Sequence, residues 1–368
     1  MPPTSPKILF YCVNGTGLGH LTRCLAIARQ IRALKPEAVI LFLTSSEHVS
    51  VLWEEGFPSV KVPSYEFSSR CPGVPISRLA TTLTAQTFAT FAPDVTVTDS
   101  LAGGMFGELI SPLMTNSRKA FLYGHFPNYH KKVTYTKAFD LYDVYLVPFR
   151  PDEEEQLGIR FPGAQTFWTG DVIIRSRAEM LDRAEVQRRL ALNPQQPALY
   201  VGLGGGGNPQ NDAVYRWLLR QLAPVAEQGW QVVVPEQPLA PHCRWSSEFP
   251  FIKSIRHYPI AEYLNGFDLA ISAAGFNCAE FVYAGIPSLW VPLGFPSTDQ
   301  NFNAQRFASR GLGHLVPLGD NAALAAGWFA LTAPGAQAQM ADAMRAFLPE
   351  NGAEAAARII LELSEVRI

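Results

Sequence analysis

The sequence has no excess charge of either sign. Its 30 Lys and Arg residues nearly balance its 32 Asp and Glu residues, which leaves a formal net charge of -2. Proteins that bind duplex nucleic acid usually present a strongly basic surface. We therefore expect no nucleic-acid partner, and any anionic ligand must be bound by local groups.

Cysteine is scarce and scattered. The 5 cysteines are Cys12, Cys24, Cys71, Cys243 and Cys278. Their odd number and the lack of a CxxC or Cys/His ligand spacing indicate neither a disulfide framework nor a zinc site. The acidic run Asp152–Glu155 follows Pro151, which is typical of the first turn of a helix rather than of a metal site. The sequence therefore predicts a reducing, cytoplasmic environment, no metal ion and no bound cofactor.

Long hydrophobic runs are also missing. No segment approaches the about 18 apolar residues of a membrane-spanning helix, and residues 1–7 lack the pattern of a secretory leader. We expect no integral membrane segment, while peripheral membrane contact is left open.

What is present is an alternation of short apolar strands with helices. The 368 residues, 48% of them hydrophobic, exceed what one core usually supports. The pattern predicts an α/β protein with two Rossmann-like, doubly wound parallel sheets. The expected domains are 1–165 and 170–348. The C-terminal helix, about 353–368, can pack back on the first domain. Predicted strands are Lys7–Val13, Val39–Thr44, Asp94–Thr98, Lys119–Tyr123, Val144–Pro148, Ala198–Gly202, Gln231–Pro235, Phe251–Tyr258, Leu269–Ser272, Ser288–Pro292 and His314–Pro317.

Each half opens with a strand and a glycine-rich turn. The first turn, Asn14–His20, includes Gly17 and Gly19 and leads into a helix, so that backbone amides can approach a ligand closely. It differs from a dinucleotide-binding fingerprint because its third glycine comes one residue early. A nicotinamide dehydrogenase is therefore a disfavoured alternative. The second turn runs from Gly202 to Asn208.

That second turn contains Gly204, Gly205 and Gly206 in succession. Such a run costs conformational entropy, which a backbone site for an anion such as a diphosphate would explain. The alternative is a flexible interdomain loop.

His20 stands at the start of the first helix. If the sheet is parallel, this position borders the crevice in which such folds bind ligands, and an imidazole there can act as a general base. The alternative is a histidine that only caps or packs against the turn.

The richest stretch runs from Asp268 to Phe307. A strand is followed by a small-residue turn, a helix with Glu280, another strand, and a loop with Asp299 and Gln300. A carboxylate such as Glu280 can accept both hydroxyls of a ribose, and Asp and Gln suit sugar hydroxyls. The alternative for Glu280 is a capping box with Asn277.

In combination these motifs resemble GT-B glycosyltransferases of the MurG-like and UDP-glycosyltransferase-like type. The resemblance implies two domains that face each other across a cleft. It implies ribose binding by Glu280 and sugar binding by Asp299 and Gln300. It also implies diphosphate contacts from the backbone of Ala274, Gly275, Phe276 and Asn277.

The resemblance further implies that a loop that includes Tyr258 contacts the nucleobase of the donor. It also implies that His20 is the catalytic general base and that Asp99 orients it. The sequence departs from the family's pattern where Ala273 and Ala274 replace a basic or polar residue in the donor turn. It also lacks the serine that is common in the loop corresponding to Gly204–Gly207.

The resulting hypothesis is an inverting, metal-independent glycosyltransferase that uses a nucleotide-diphosphate sugar, with UDP as the expected nucleotide. The acceptor is expected to be a small molecule or natural product with a hydroxyl or amine, near His125 and Tyr129. The alternatives are a nucleotide-sugar hydrolase or hydrolysing 2-epimerase on the same fold, and a non-catalytic sugar-nucleotide binder.

Overall fold

The computed structural model describes residues 5–13, 17–64, 71–115, 117–125, 137–157, 165–207, 210–240, 245–294 and 299–365. The chain divides into two compact units. The first comprises Met1–Val172 and Asn351–Ile368, and the second comprises Ile173–Glu350.

The first unit is built on a seven-stranded parallel sheet in the order β3-β2-β1-β4-β5-β6-β7. Its strands are Lys7–Cys12 (β1), Val39–Thr44 (β2), Ser59–Lys61 (β3), Val95–Asp99 (β4), Arg118–Leu122 (β5), Val144–Val147 (β6) and Gln165–Trp168 (β7). The central strands are continuous apolar runs because helices cover both faces of such a sheet. In β1, every residue after Lys7 is buried.

The second unit has a six-stranded parallel sheet in the order β10-β9-β8-β11-β12-β13. Its strands are Ala198–Gly202 (β8), Gln231–Pro235 (β9), Ile252–Ile255 (β10), Leu269–Ser272 (β11), Ser288–Trp290 (β12) and His314–Leu315 (β13). Alternate residues feed two separate cores. Tyr200 and Ala270 belong to one core, and Leu199 and Ile271 to the other.

Helices connect these strands in the described parts of the chain. They are Gly19–Leu34 (α1), Ser50–Glu54 (α2), Ile76–Phe91 (α3), Ile110–Leu113 (α4), Glu154–Leu157 (α5), Arg183–Arg189 (α6), Asn211–Glu227 (α7), Trp245–Glu248 (α8), Cys278–Ala284 (α9), Gln300–Ala308 (α10), Asn321–Thr332 (α11), Ala336–Phe347 (α12) and Gly352–Glu365 (α13). Short 3-10 turns cover Pro151–Glu153, Arg177–Glu179 and Ile260–Gly266. Within the described residues, no helix is both long and apolar enough to cross a membrane.

The C-terminal helix α13 packs against α1 in the first unit. Its entry is tight: the Gly352 amide donates to Asp171 O at 2.8 Å. A Cβ at Gly352 would lie 2.3 Å from Gly170 O, so a side chain at that position would force the backbone apart.

The predicted fold class, two Rossmann-like parallel sheets, is confirmed. Two edge strands, β3 and β7, were not predicted because Ser59–Lys61 and Gln165–Trp168 are short and partly polar. They lack the apolar run that marks a buried strand. The first sheet therefore extends past residue 165, into a region whose composition predicts a domain boundary.

Strand order in both sheets reverses beside the first strand of the unit. In the first sheet β1 lies between β2 and β4, and in the second β8 lies between β9 and β11. In open parallel sheets, ligands bind at the carboxyl ends of the strands at this switch point. The turn after β1 and the end of β4 therefore mark a candidate site in the first unit, and the turn after β8 and the end of β11 mark one in the second.

Candidate functional site

The switch point of the first unit brings His20 and Asp99 together. His20 is the second residue of α1, directly after Gly19, and Asp99 is the last residue of β4. His20 Nδ1 lies 2.6 Å from Asp99 Oδ1, with the His20 side chain 20% exposed and the Asp99 side chain fully buried. Gly17 immediately precedes α1, while Asn14–Thr16 lie outside the described residues.

Asp99 is held by a buried arginine. Arg23 Nε lies 2.9 Å from Asp99 Oδ2, and Arg23 Nη2 lies 2.7 Å from Asp99 Oδ1. Burial raises the pKa of Asp99, but the charges of Arg23 and His20 and their hydrogen bonds outweigh it and hold that pKa well below its usual range. Asp99 therefore remains a carboxylate.

The ionised state of Asp99 fixes the role of each imidazole nitrogen. A carboxylate can only accept, so the hydrogen bond to Asp99 Oδ1 requires a proton on His20 Nδ1. The neutral ring then carries its lone pair on Nε2. This arrangement of carboxylate and imidazole is suited to removing a proton from a hydroxyl.

The proposed acceptor residues are only partly described. His125 follows β5, the strand next to β4, and is half-buried, with its Nδ1 3.2 Å from Tyr123 Oη. Tyr129 lies outside the described residues.

The glycine turn after β8 is a fixed turn over its described residues, Gly202–Gly207. Gly204 and Gly206 have φ angles of +89° and +91°, which favour glycine. The amide of Leu239 donates to Gly205 O at 2.9 Å, and a Cβ on Gly206 would lie 2.6 Å from Gln237 Cβ. Hydrogen bonding and close packing both constrain the turn, which disfavours the flexible-loop alternative.

The turn after β11 is also constrained. Ala274 has a φ of +55°, an uncommon value for a residue with a side chain, and its carbonyl accepts a 3.2 Å hydrogen bond from Asn303 Nδ2. Ser272 Oγ donates to Asn277 Oδ1 at 3.1 Å. Gly275 and Phe276 are half-buried at the turn. Strain of this kind persists where the surroundings over-determine the backbone, as at ligand sites.

Glu280 lies in α9, just after this turn, and is 4% exposed. The predicted alternative, a capping box, does not form: Asn277 has helical backbone angles and no side-chain cap hydrogen bond. Within the described residues, the Glu280 carboxyl has no hydrogen-bond partner. Burial raises its pKa to about 8, against a lowering effect of the Arg175 charge.

The remaining donor residues lie at the ends of neighbouring elements. Gln300 begins α10, and its Oε1 accepts a 2.8 Å hydrogen bond from the amide of Leu293. This bond fixes the side chain and leaves Nε2 to donate to a ligand. Asp299 precedes α10 and is half-buried, as is Tyr258, in the loop before the Ile260–Gly266 turn.

Three residues at the two sites were not identified from the sequence. Arg23 and Ser100 donate hydrogen bonds to Asp99, and the charge of Arg175 acts on Glu280. Arg23 follows His20 by three residues on one helix, a spacing that places both on the same face. Arg175 has no such local pattern, because it precedes the second sheet.

Comparison with known proteins gives one informative sequence relative. The chain is 27% identical over 379 residues to UDP-N-acetylglucosamine--N-acetylmuramyl-(pentapeptide) pyrophosphoryl-undecaprenol N-acetylglucosamine transferase from Nocardioides sp. (strain ATCC BAA-499 / JS614). The match covers 95% of this chain and 96% of the relative. No protein-family model matches the chain.

Solved structures share the fold. The glycosyltransferase of kitacinnamycin has a TM-score of 0.68 at 15% identity and covers 98% of this chain and 100% of its own. CalG4, the calicheamicin glycosyltransferase, has a TM-score of 0.64 at 16% identity and covers 99% of this chain and 100% of its own. The GT-B fold and the resemblance to MurG-like glycosyltransferases are thus confirmed.

Proposed function

We propose that the chain is an inverting glycosyltransferase that moves a sugar from a nucleotide-diphosphate donor, with UDP as the expected nucleotide, to a hydroxyl or amine acceptor. The observation that supports this most directly is the 2.6 Å contact between His20 Nδ1 and the buried carboxylate of Asp99. In this proposal His20 Nε2 takes the acceptor's proton as the acceptor attacks the anomeric carbon.

The bond between the sugar and the diphosphate breaks in the same step, and the diphosphate leaves with the bonding electron pair. Its growing negative charge would be stabilised by the backbone amides of Ala274–Asn277 and of the glycine turn after β8, together with the N-terminal end of α7. Glu280 would accept the ribose hydroxyls, while Asp299 and Gln300 would bind the donor sugar. These interactions require no metal ion, and metal independence is part of the proposal.

The test is a donor and acceptor screen with the wild type and H20A, in which nucleotide release and product formation are both measured. H20A is expected to lose at least about a hundredfold in transfer, the usual contribution of a general base, while UDP affinity changes less than about twofold. H314A is the matched control, since His314 lies on β13 in the other unit. The wild type should keep its activity in EDTA.

Undiminished transfer by H20A would refute the role of His20, and loss of activity in EDTA would refute metal independence. Rapid nucleotide release without acceptor would indicate hydrolysis instead, and a released epimer would indicate epimerisation. Nucleotide binding without turnover across the panel would indicate a sensor.

A further inference from the structure

Arg23 connects three elements of the first unit from a buried position one turn after His20. Besides its two hydrogen bonds to Asp99, its Nη2 donates to Ser100 Oγ at 3.0 Å and its Nη1 to Tyr123 O at 3.0 Å. The guanidinium therefore ties α1 to the ends of β4 and β5. Since both Asp99 oxygens are bound, the carboxylate cannot rotate about its own axis.

Ser100 completes this arrangement in an uncommon backbone conformation. Its φ is +63°, and its hydroxyl donates to Asp99 Oδ1 at 2.5 Å while lying 3.1 Å from His20 Nδ1. The space that it occupies depends on Gly124. A Cβ there would lie 2.2 Å from Ser100 Oγ and 3.3 Å from Arg23 Nη2.

The charges in this cluster cancel when His20 is neutral. Asp99 contributes one negative charge and Arg23 one positive charge. Arg23 therefore balances the charge of the buried carboxylate, which a neutral imidazole does not do.

The other titratable groups around the cluster do not replace Arg23. The Cys24 thiol lies 3.6 Å from Asp99 Oδ2, and burial and its neighbour Cys12 raise the pKa of Cys24 well above its usual value, so it stays uncharged. On the β5 side, His125 contacts the Tyr123 hydroxyl rather than Asp99. On α13, which packs on α1, Arg358 pairs with Glu354.

We propose that Arg23, supported by Ser100, is a positioning residue that holds the Asp99 carboxylate against His20 Nδ1 and so keeps the proton of the neutral imidazole on that nitrogen. The proposal rests on the base role of His20 proposed above. If Arg23 only anchored α1 to the sheet, its removal would lower stability without changing the tautomer of His20.

Nitrogen-edited NMR of the histidine rings tests this without any substrate, with the His20 signals identified by their loss in H20Q. In the wild type, His20 should show the Nδ1-protonated neutral form. In R23Q, the ring should also populate the Nε2-protonated form, because Asp99 is no longer held against Nδ1, and kcat should fall.

Two further variants separate charge from packing. R23K keeps the charge but cannot bridge both oxygens, so it should show a weaker preference for protonated Nδ1 and a lower kcat. R23K and S100A carry the test if R23Q does not fold: an R23K or S100A ring that loses its preference for protonated Nδ1 supports the proposal.

A folded R23Q whose His20 tautomer and kcat match the wild type would overturn the proposal. So would R23K and S100A with wild-type tautomer and kcat, should R23Q be unfolded. Failure of the proposed function is distinguishable, because it appears as undiminished transfer by H20A and leaves the NMR comparison unaffected.

Discussion

Glu280 gives the sharpest prediction, because it is a buried carboxyl without a hydrogen-bond partner in the described residues. Burial raises its pKa from an ordinary value of 4.5 to about 8. The folded protein therefore binds one more proton than the unfolded chain between these two values. By linkage, Glu280 does not lower the free energy of unfolding below pH 4.5, and it lowers that free energy progressively as the pH rises towards 8.

The size of this loss follows from the shift. At pH 7 the medium lies 2.5 pH units above the ordinary value of 4.5. At about 1.4 kcal/mol per pH unit, Glu280 lowers the free energy of unfolding of the ligand-free protein by about 3 kcal/mol. E280Q removes the titration and keeps the shape. It should raise the melting temperature at pH 7 by about 6 to 12 °C, as expected for a domain of this size, and leave it nearly unchanged at pH 4.5.

Nucleotide binding should respond in the opposite direction. Hydrogen bonds to a charged group contribute about 1.5 to 3 kcal/mol each, so E280Q should weaken UDP binding by at least about tenfold. Because ribose hydroxyls need the ionised carboxylate as acceptor, UDP affinity of the wild type should rise between pH 6 and 8. Thermal melts and calorimetric titrations at pH 4.5, 6, 7 and 8 measure both effects.

Glu262 is the matched control, since it lies in the same unit with partners. Burial raises its pKa, but hydrogen bonds from His257 and Arg175 lower it overall. Its stabilising contribution is therefore present above the ordinary pKa and is lost as the pH falls, so E262Q should destabilise the protein at pH 7. An E280Q protein that melts at or below the wild-type temperature at pH 7, or binds UDP equally well, would refute the reasoning.

Two further predictions concern the first unit and the glycine turn. D99N should reduce kcat/KM for transfer by at least about a hundredfold, because an amide does not enforce the His20 tautomer, while UDP affinity stays constant; steady-state kinetics with near-normal turnover would contradict this. G206A should destabilise the protein by about 1 to 3 kcal/mol, because it adds an overlap with Gln237 to the strain of a positive φ. Gly229 has a φ of +93°, and a Cβ there would meet open space. In urea unfolding, G229A should therefore lose less unfolding free energy than G206A. Equal losses would show that the packing against Gln237 is unimportant.

The central architecture follows from the sequence because buried parallel strands need continuous apolar runs. β1, β2 and β8 are such runs, and their strand bounds agree with the prediction to within one residue. The edge strands could not be recognised in the same way. β3 and β7 gain their structure from pairing with a neighbour, a tertiary interaction that a local pattern does not encode.

The site was predictable where chemistry is local and obscure where it depends on topology. His20 follows a glycine turn and Glu280 follows a small-residue turn, so both could be identified along the chain. Arg23 was missed because its role requires knowing that β4 pairs with β1 and delivers Asp99 to the start of α1. Asp99 itself entered only through the family resemblance, and its catalytic role stays a proposal.

The two buried carboxyl groups, Asp99 and Glu280, differ in how far their hydrogen-bonding capacity is filled within the protein. Asp99 has a full set of partners before any ligand binds, so the imidazole beside it needs no rearrangement when a proton is to be removed. Glu280 has its hydrogen-bonding capacity open, and a ligand with two adjacent hydroxyls would fill it. A phosphate offers acceptor oxygens, which suit the backbone amides of the turns after β8 and β11. Within one nucleotide, the Glu280 carboxyl would therefore suit the ribose and these two turns the diphosphate.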